Sequence, residues 1–512
     1  MVNVVDNNLY NNELADLISS ITSKNRIIMA SNRGPVEFQV NQEGNLQARR
    51  GSGAIVTAFS QLLQEFEFSW VANAMGDGDR RALDAFENRA IPSPLPSQKG
   101  HVRFVVTPRR TYHKFYNIIC NPLLWFLQHN MWSSPYTPNV DSTVTDAWTN
   151  GYVMVNEAIA ASVLDEIKLD SNGNSKENIV IVQDYHMYLV SEIVRKNSPD
   201  SFIYHYVHIP WPDVRSWQLI PEFMRESIFR SLCSNDLVGF QSERDVYNFL
   251  DSCRTFIKDA VINYDDKSVK TNKHVTFAKV YPLSINLNEV RNIAKAPRAT
   301  EFSEKISGYL RDHNIVRVDR TEPNKNITRG FRAYGKMLER HPELRERVVF
   351  LAFLVPSRTH VKQYERYQDE INNIVDNINK TYGNPEWVPI RVFSENNYAQ
   401  AMAGLKVYDT LLVNPLVDGT NLVTKEGPVV NDKNGVIVLS ETSSTFDELQ
   451  DGVLSVSPAD IEGTEQALYR SVTMSLSERQ DRSKALLDII EKNDVDAWLR
   501  IQFTDIKNIF DR

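Results

Sequence analysis

The sequence predicts an α/β chain of two doubly wound domains facing a central cleft, with a C-terminal helix crossing back to the first domain. Three observations predict it. Short apolar, β-branched runs recur along the chain, separated by amphipathic segments, the pattern of parallel strands covered by helices on both faces. The runs form two series: 27–32, 104–108, 179–184, 202–209 and 237–241, then 315–320, 348–356, 390–393, 410–415 and 435–441. The length, 512 residues, exceeds what one hydrophobic core usually serves.

The break between the series falls near Pro282, after the polar insertion NYDDKSVKTNKH and the run FAKVYPL. The expected domains are therefore 1–282 and 283–490, followed by a helical segment, 491–512. In that segment Leu499, Phe503, Ile506 and Phe510 lie on one helical face and require an apolar partner.

Composition narrows the class of protein. Hydrophobic residues are 42 %, enough for packed cores, and the net charge of −8 gives no global attraction to nucleic acid. Cys120, Cys233 and Cys253 lie in apolar stretches without a CxxC pattern, which reads as buried free thiols in a reducing compartment. The first twenty residues have no basic start and no unbroken apolar core, and no apolar run approaches the ~20 residues of a membrane span. A cytoplasmic enzyme without membrane contact is expected; a homo-oligomer and a monomer stay equally open.

The chemistry-bearing residues cluster after the runs, where α/β folds place ligands. Arg320 ends one strand and Lys325 is placed at the opening of the next helix, a fork and a point charge suited to phosphate oxygens. Taken alone, such a pair is an ordinary surface feature in most proteins. Asp418-Gly419 reads as a turn, Asn421-Leu422-Val423 as a helix start, and Glu426 as a carboxylate within that helix able to chelate two ribose hydroxyls. Arg33 follows the first strand, and Gly51 and Gly53 open a helix where small residues let backbone amides approach a phosphate. Asp184, Tyr185, His186 and His208 follow the third and fourth runs. A histidine in such surroundings is more often a satisfied core residue than a catalyst.

Eleven segments in order carry a family resemblance over nearly the whole chain, from about Ile27 to Phe510. They are SNRGP, GSGAIV, YNIICNPLLW, VQDYHMYL, HIPWP, LVGFQSERD, VYPLSIN, VDRTEPNK, VPSR, VDGTNLVTKE and VIVLSE. Together they resemble glycosyltransferase family 20, the trehalose-6-phosphate synthases. The resemblance implies a GT-B fold of two Rossmann-like domains and retaining glucosyl transfer, from a nucleotide-glucose (UDP-glucose first) to glucose 6-phosphate. It implies no metal ion and no other cofactor. Arg33, Tyr116, Trp125, Asp184 and Arg358 would bind the acceptor sugar phosphate. Gly53, His208, Arg320, Lys325, Asp418, Leu422 and Glu426 would bind the nucleotide-sugar donor, with Arg320, Lys325, His208 and Asp418 serving the reaction itself.

The chain departs from the family pattern in places. It has Arg320-Thr321-Glu322-Pro323-Asn324-Lys325-Asn326 where the family reads Arg-Leu-Asp-Tyr-x-Lys-Gly, and Val417-Asp418-Gly419-Thr420-Asn421 where it reads Arg-Asp-Gly-Met-Asn. Gly427 replaces a tyrosine, Gln183 a histidine and Ser52 a glycine. The second-half changes are similar to a divergent branch that includes the validoxylamine 7′-phosphate synthase, a pseudo-glycosyltransferase. A GDP- or ADP-sugar or nucleotide-cyclitol donor, another phosphorylated acceptor, and a silent sugar-phosphate-binding regulator are the alternatives. The intact Arg320, Lys325, Asp418 and Glu426 argue against silence.

Overall fold

The computed structural model describes residues 7–51, 54–87, 90–94, 99–131, 139–169, 177–272, 274–358 and 361–511. The chain divides into two compact units, Met1–Tyr281 with Asp496–Arg512, and Pro282–Val495.

Unit 1 contains strands β1 (Asn25–Ser31), β2 (Val36–Val40), β3 (Leu46–Arg50), β4 (Phe68–Asn73), β5 (Ile91–Pro92), β6 (Gly100–Val105), β7 (Glu177–Gln183), β8 (Phe202–Tyr206), β9 (Leu237–Phe240), β10 (Val261–Asn263), β11 (Ser268–Thr271) and β12 (His274–Val280). Ten of them form one sheet in the order β10-β11-β12-β9-β8-β7-β1-β4-β6-β5, and β2 pairs with β3 apart from it. The stretch from β12 to β6 is parallel throughout. The polar insertion around NYDDKS is not a loop: β10 and β11 form an antiparallel hairpin in register Ile262↔Val269, extending the sheet at its edge. An edge strand tolerates polar residues because one side of it meets water. Strand β4 escapes the sequence pattern for a related reason, since Ser69 and Asn73 interrupt its apolar run although both are buried.

Unit 2 contains β13 (His313–Arg320), β14 (Val348–Val355), β15 (Ile390–Phe393), β16 (Thr410–Val413), β17 (Val436–Ser440) and β18 (Leu454–Val456), in one wholly parallel sheet of order β15-β14-β13-β16-β17-β18. Its strands are apolar on both faces because both faces are covered. In β14, Phe350, Ala352 and Leu354 pack against the helices Ile327–Arg340, Lys362–Tyr382 and Ile461–Thr473. The alternate residues Val349, Leu351 and Phe353 pack against Leu287–Lys295, Tyr398–Val407 and Leu476–Lys492. The Ile327–Arg340 helix buries Ile327, Phe331, Tyr334 and Leu338, while Arg332, Glu339 and Arg340 are exposed.

The handover between units comes a few residues later than residue 491: unit 2 runs to Val495, whose amide donates to the Ile285 carbonyl at 3.0 Å. The following helix, Val495–Phe510, packs on unit 1 through its apolar stripe. Leu499, Phe503 and Ile506 are buried, Phe510 lies edge-on to Phe202, and Trp498 donates from its indole to the Tyr281 carbonyl. Tyr204 donates to Gln502 Oε1 at 2.6 Å, and Tyr281 to Asp505 at 2.8 Å. Replacing the buried Phe503 with Ala removes an aromatic anchor without a substitute, so Phe503→Ala should cost about 3–5 kcal/mol, read as a lower urea midpoint followed by tryptophan fluorescence.

Candidate active site

In unit 1 the expected residues gather where the central parallel strands end. Beyond β1, the Ser31 hydroxyl accepts from the Trp70 indole at 2.8 Å and donates to the Arg33 carbonyl at 2.6 Å, which fixes the turn that presents Arg33. The Arg33 side chain is exposed, 3.9 Å from the Glu37 carboxylate. Asn32 accepts from Asn73 and from the Tyr112 hydroxyl at 3.1 and 3.2 Å, joining the ends of β1 and β4 to the segment that carries Tyr116.

That segment, Lys114–Leu124, is a π-helix with Pro122 inside it, and the Trp125 amide donates five residues back to the Cys120 carbonyl. Widened turns of this kind are frequent at functional sites. Tyr116 stacks between Tyr112 and His186, with ring centroids at 5.6 and 5.9 Å and interplanar angles of 13° on both sides. Trp125 is buried, with its ring on His129 at 4.0 Å and facing Tyr185 at 6.0 Å.

Asp184 follows β7 with φ +71°, a conformation that side chains rarely adopt. Its amide donates to the Tyr206 carbonyl at 2.7 Å, and its carboxylate accepts from the His208 amide at 3.2 Å and lies 3.5 Å from His186 Nδ1. Burial works to raise the Asp184 pKa, but the His186 hydrogen bond and the neighbouring histidines outweigh it and hold the carboxyl below its usual range. His208 goes the other way: burial lowers it to about 4, so at neutral pH it is an uncharged ring, with Nε2 2.8 Å from Gln183 Oε1. Since that amide oxygen can only accept, Nε2 carries the hydrogen.

Unit 2 brings together two groups of expected residues. In the first, Arg320 at the end of β13 and Arg358 beyond β14 both form ion pairs with one oxygen of Glu322, at 2.9 and 3.2 Å, and the Ser357 hydroxyl donates to it at 2.8 Å. Glu322 is fully buried. Burial alone would raise its carboxyl, yet the two guanidinium charges beside it hold it down at about 2. In the second, Lys325 pairs with the Asp418 carboxylate across 93 residues of sequence, and Asn421 donates to the same carboxylate oxygen at 3.1 Å.

The loop carrying Lys325 differs in detail from the sequence expectation. Pro323–Lys325 is a 3₁₀ turn, and the helix starts only at Ile327, after Asn326 in the left-handed conformation at φ +56°. Arg317, fully buried within β13, braces this loop. Its guanidinium grips Asp319 at 2.8 and 3.0 Å and donates to the Lys325 and Ile327 carbonyls at 3.0 and 3.4 Å. The Asn326 amide donates to the carbonyls of Asn414 and Pro458 at 2.9 and 2.7 Å.

Leu422 caps the Val423–Val430 helix, and its carbonyl accepts from the Glu426 amide at 2.8 Å. Glu426 is buried in the first turn, and burial pushes its carboxyl up to about 7. Gly53 lies outside the described residues. Among the described residues no group of three or more His, Cys, Asp or Glu is arranged to hold a metal ion, and no helix is long and apolar enough to cross a membrane.

Among the residues of these arrangements not assigned a role from the sequence are Arg317, Glu322, Asn326 and Tyr398, whose hydroxyl meets Glu426. The charges within the otherwise apolar run IVRVDR were a signal for Arg317, because a charge in a covered strand must be paired.

Two doubly wound units with parallel sheets, and charged side chains at the carboxyl ends of their strands, have the architecture of a glycosyltransferase of the GT-B fold. The chain belongs to glycosyltransferase family 20, whose sequence model matches residues 25–508, and it is an enzyme of the trehalose-6-phosphate synthase type. The trehalose-6-phosphate synthase of Escherichia coli K12 is 29 % identical over 402 residues, covering 78 % of this chain and 81 % of that one. The fold matches trehalose-6-phosphate of E. coli bound with UDP-2-fluoro glucose, with a TM-score of 0.79 and 24 % identity over 94 % of this chain and 99 % of that one. It also matches the UDP-forming α,α-trehalose-phosphate synthase of Burkholderia xenovorans in complex with glucose-6-phosphate, with a TM-score of 0.79 and 24 % identity over 94 % and 100 %.

Arg317 supplies a test of the loop. Arg317→Met leaves Asp319 buried without its guanidinium partner and the Lys325 carbonyl without its donor. A loss of about 3–5 kcal/mol is expected, measured as the shift of the urea unfolding curve.

Proposed function

We propose that this enzyme transfers glucose with retention from a nucleotide-glucose, UDP-glucose first, to glucose 6-phosphate, forming α,α-trehalose 6-phosphate and a nucleoside diphosphate. The observation that supports this most is the pairing of Lys325 with Asp418, a phosphate-binding cation held against a carboxylate able to accept from sugar hydroxyls. Two of the structural relatives are described with UDP-2-fluoro glucose and with glucose-6-phosphate, which supports the same pair of substrates.

In this reading Arg320 and Lys325 take the donor diphosphate together with Gly53. His208 and Asp418 hold the transferred glucose, Leu422 lends backbone contacts and Glu426 takes the ribose. Arg33, Tyr116, Trp125 and Arg358 serve the acceptor phosphate end, and Asp184 its hydroxyls. The neutral ring of His208 fits contact with an uncharged sugar, whereas an imidazolium would repel the positive charge that builds at the anomeric carbon. No side chain is assigned as a nucleophile. The acceptor hydroxyl attacks the anomeric carbon on the face from which the diphosphate leaves. The bond to the phosphate oxygen breaks as the new glycosidic bond forms, and the hydroxyl proton passes to a leaving phosphate oxygen. The protein contributes position and charge stabilisation.

The departures at Thr321–Asn326, Val417, Thr420 and Gly427 favour a second reading, a nucleotide-cyclitol donor in the same framework. A product panel separates the two. UDP-, GDP- and ADP-glucose are each incubated with glucose 6-phosphate, and products are identified by mass and NMR. A disaccharide phosphate from one of them is expected. No such product, with turnover from a nucleotide-cyclitol, selects the second reading.

Arg320→Ala tests the diphosphate role in a side chain that is about half exposed, 47 %. Removing one preorganised donor to a developing anion lowers kcat about 10²–10³-fold, far more than it lowers the unfolding midpoint, because Arg358 and Ser357 still hold Glu322. Near-wild-type turnover would sink the assignment.

A further inference from the structure

We infer that Tyr398 is a positioning residue for the donor: it holds one oxygen of the Glu426 carboxylate so that the other is presented to the ribose diol. The inference rests on the ribose role proposed for Glu426. Tyr398 opens the Tyr398–Val407 helix, whose N-terminus is fixed by the Asn397 side chain accepting from the Gln400 amide at 3.2 Å. That helix packs beside Val423–Val430, and the phenol donates to Glu426 Oε1 at 2.7 Å. The terminal torsion of a glutamate is otherwise soft, so an anchored oxygen fixes the plane of the carboxylate.

Tyr398 is 43 % exposed, while Glu426 is 8 % exposed. This half-exposed tyrosine, whose hydroxyl reaches a nearly buried carboxyl, is unlike the core tyrosines of unit 2, Tyr334 and Tyr408, which are fully buried.

The same bond has an electrostatic effect. Burial drives the Glu426 carboxyl up to about 7, and donation from Tyr398 pulls it back towards ionisation. Only the ionised form accepts with both oxygens. Several charged groups on the packed elements are paired elsewhere, Lys406 with Asp432 at 3.7 Å and Arg291 with Glu491 at 2.5 Å among them. Lys425 is turned to Glu448 at 2.6 Å, Arg479 to Asp409 at 3.1 Å and Arg482 to Glu478 at 3.0 Å. Glu289, on the Leu287–Lys295 helix, acts on Tyr398 and raises its phenol pKa together with burial and Glu426 itself. That keeps the phenol protonated as a donor.

The test compares binding of UDP with that of 2′,3′-dideoxy-UDP by calorimetry from pH 5.5 to 9. The ratio cancels titration of the phosphates and reads the diol alone. In the wild type the preference for UDP should rise with pH through about 7, as Glu426 ionises. Tyr398→Phe should cut the preference about 10-fold at pH 7 and move its rise to higher pH, because the bond that favours ionisation is gone. In a Glu426→Gln background the same substitution should change nothing further, since it acts through that carboxylate. A wild-type ratio and pH profile in Tyr398→Phe, with the ratio lost in Glu426→Gln, would overturn the inference and leave the ribose role standing. A ratio unchanged in Glu426→Gln would overturn both.

Discussion

The Arg317–Asp319 pair is the constraint on which the unit 2 site depends. Two apart in one strand, both side chains point to the same face, in a sheet whose strands are mostly apolar on both sides. Putting a guanidinium there carries a desolvation cost that only full pairing offsets. Asp319 supplies one partner, and the carbonyls of Lys325 and Ile327 supply two more. Past the end of β13 the Lys325 carbonyl has no ladder to join, and a buried carbonyl without a donor is itself costly. One buried cation therefore answers several needs, and in doing so it fixes the backbone from which Lys325 reaches Asp418.

A second charge arrangement governs the neighbouring strand ends. Arg320 and Arg358 come from different strands and would repel one another if left to themselves. Glu322 joins them through a single oxygen. The carboxyl stays ionised far below neutral pH, so the arrangement is constant over the working range of an enzyme. The outcome is a pair of guanidinium groups held close together at one end of a sheet, with the more exposed Arg320 presented to solvent. Unit 1 works differently. There, His208 is kept neutral and Asp184 charged by opposite balances of burial and hydrogen bonding.

Much of this was legible in the sequence, for definite reasons. Strands buried on both faces read as unbroken apolar runs, which made β7, β13 and β14 visible, and the helical stripe ending at Phe510 required an apolar partner. What stayed hidden depends on neighbours that are distant in sequence. Strand β4 carries Ser69 and Asn73 in positions that look solvent-facing until Arg26 and Asn32 are placed beside them. The β10–β11 hairpin is polar because it is an edge. Tyr398 and Glu426 are 28 residues apart on separate helices, and no spacing rule connects them. Glu322 looked like one more departure from the family's aspartate, and its role becomes visible only when Arg358 arrives from the next strand.

The strained positions show how such departures are accommodated. Asp184, Asn326 and Arg358 all have positive φ, and each lies just past a strand that carries site residues. Such conformations cost of order 1–3 kcal/mol and persist only where surroundings over-determine them. Asp184 is held by the Tyr206 carbonyl and two histidines, and Arg358 by Glu322 and the Tyr364 hydroxyl. Asn326 stands where the family usually has glycine, which adopts this conformation without a steric penalty. Asparagine tolerates it nearly as well and adds an amide. That amide ties the turn to the end of β16 and to Pro458. The exchange therefore preserves the path of the backbone and stiffens it, so a residue that reads as a loss of the family pattern keeps Lys325 facing Asp418.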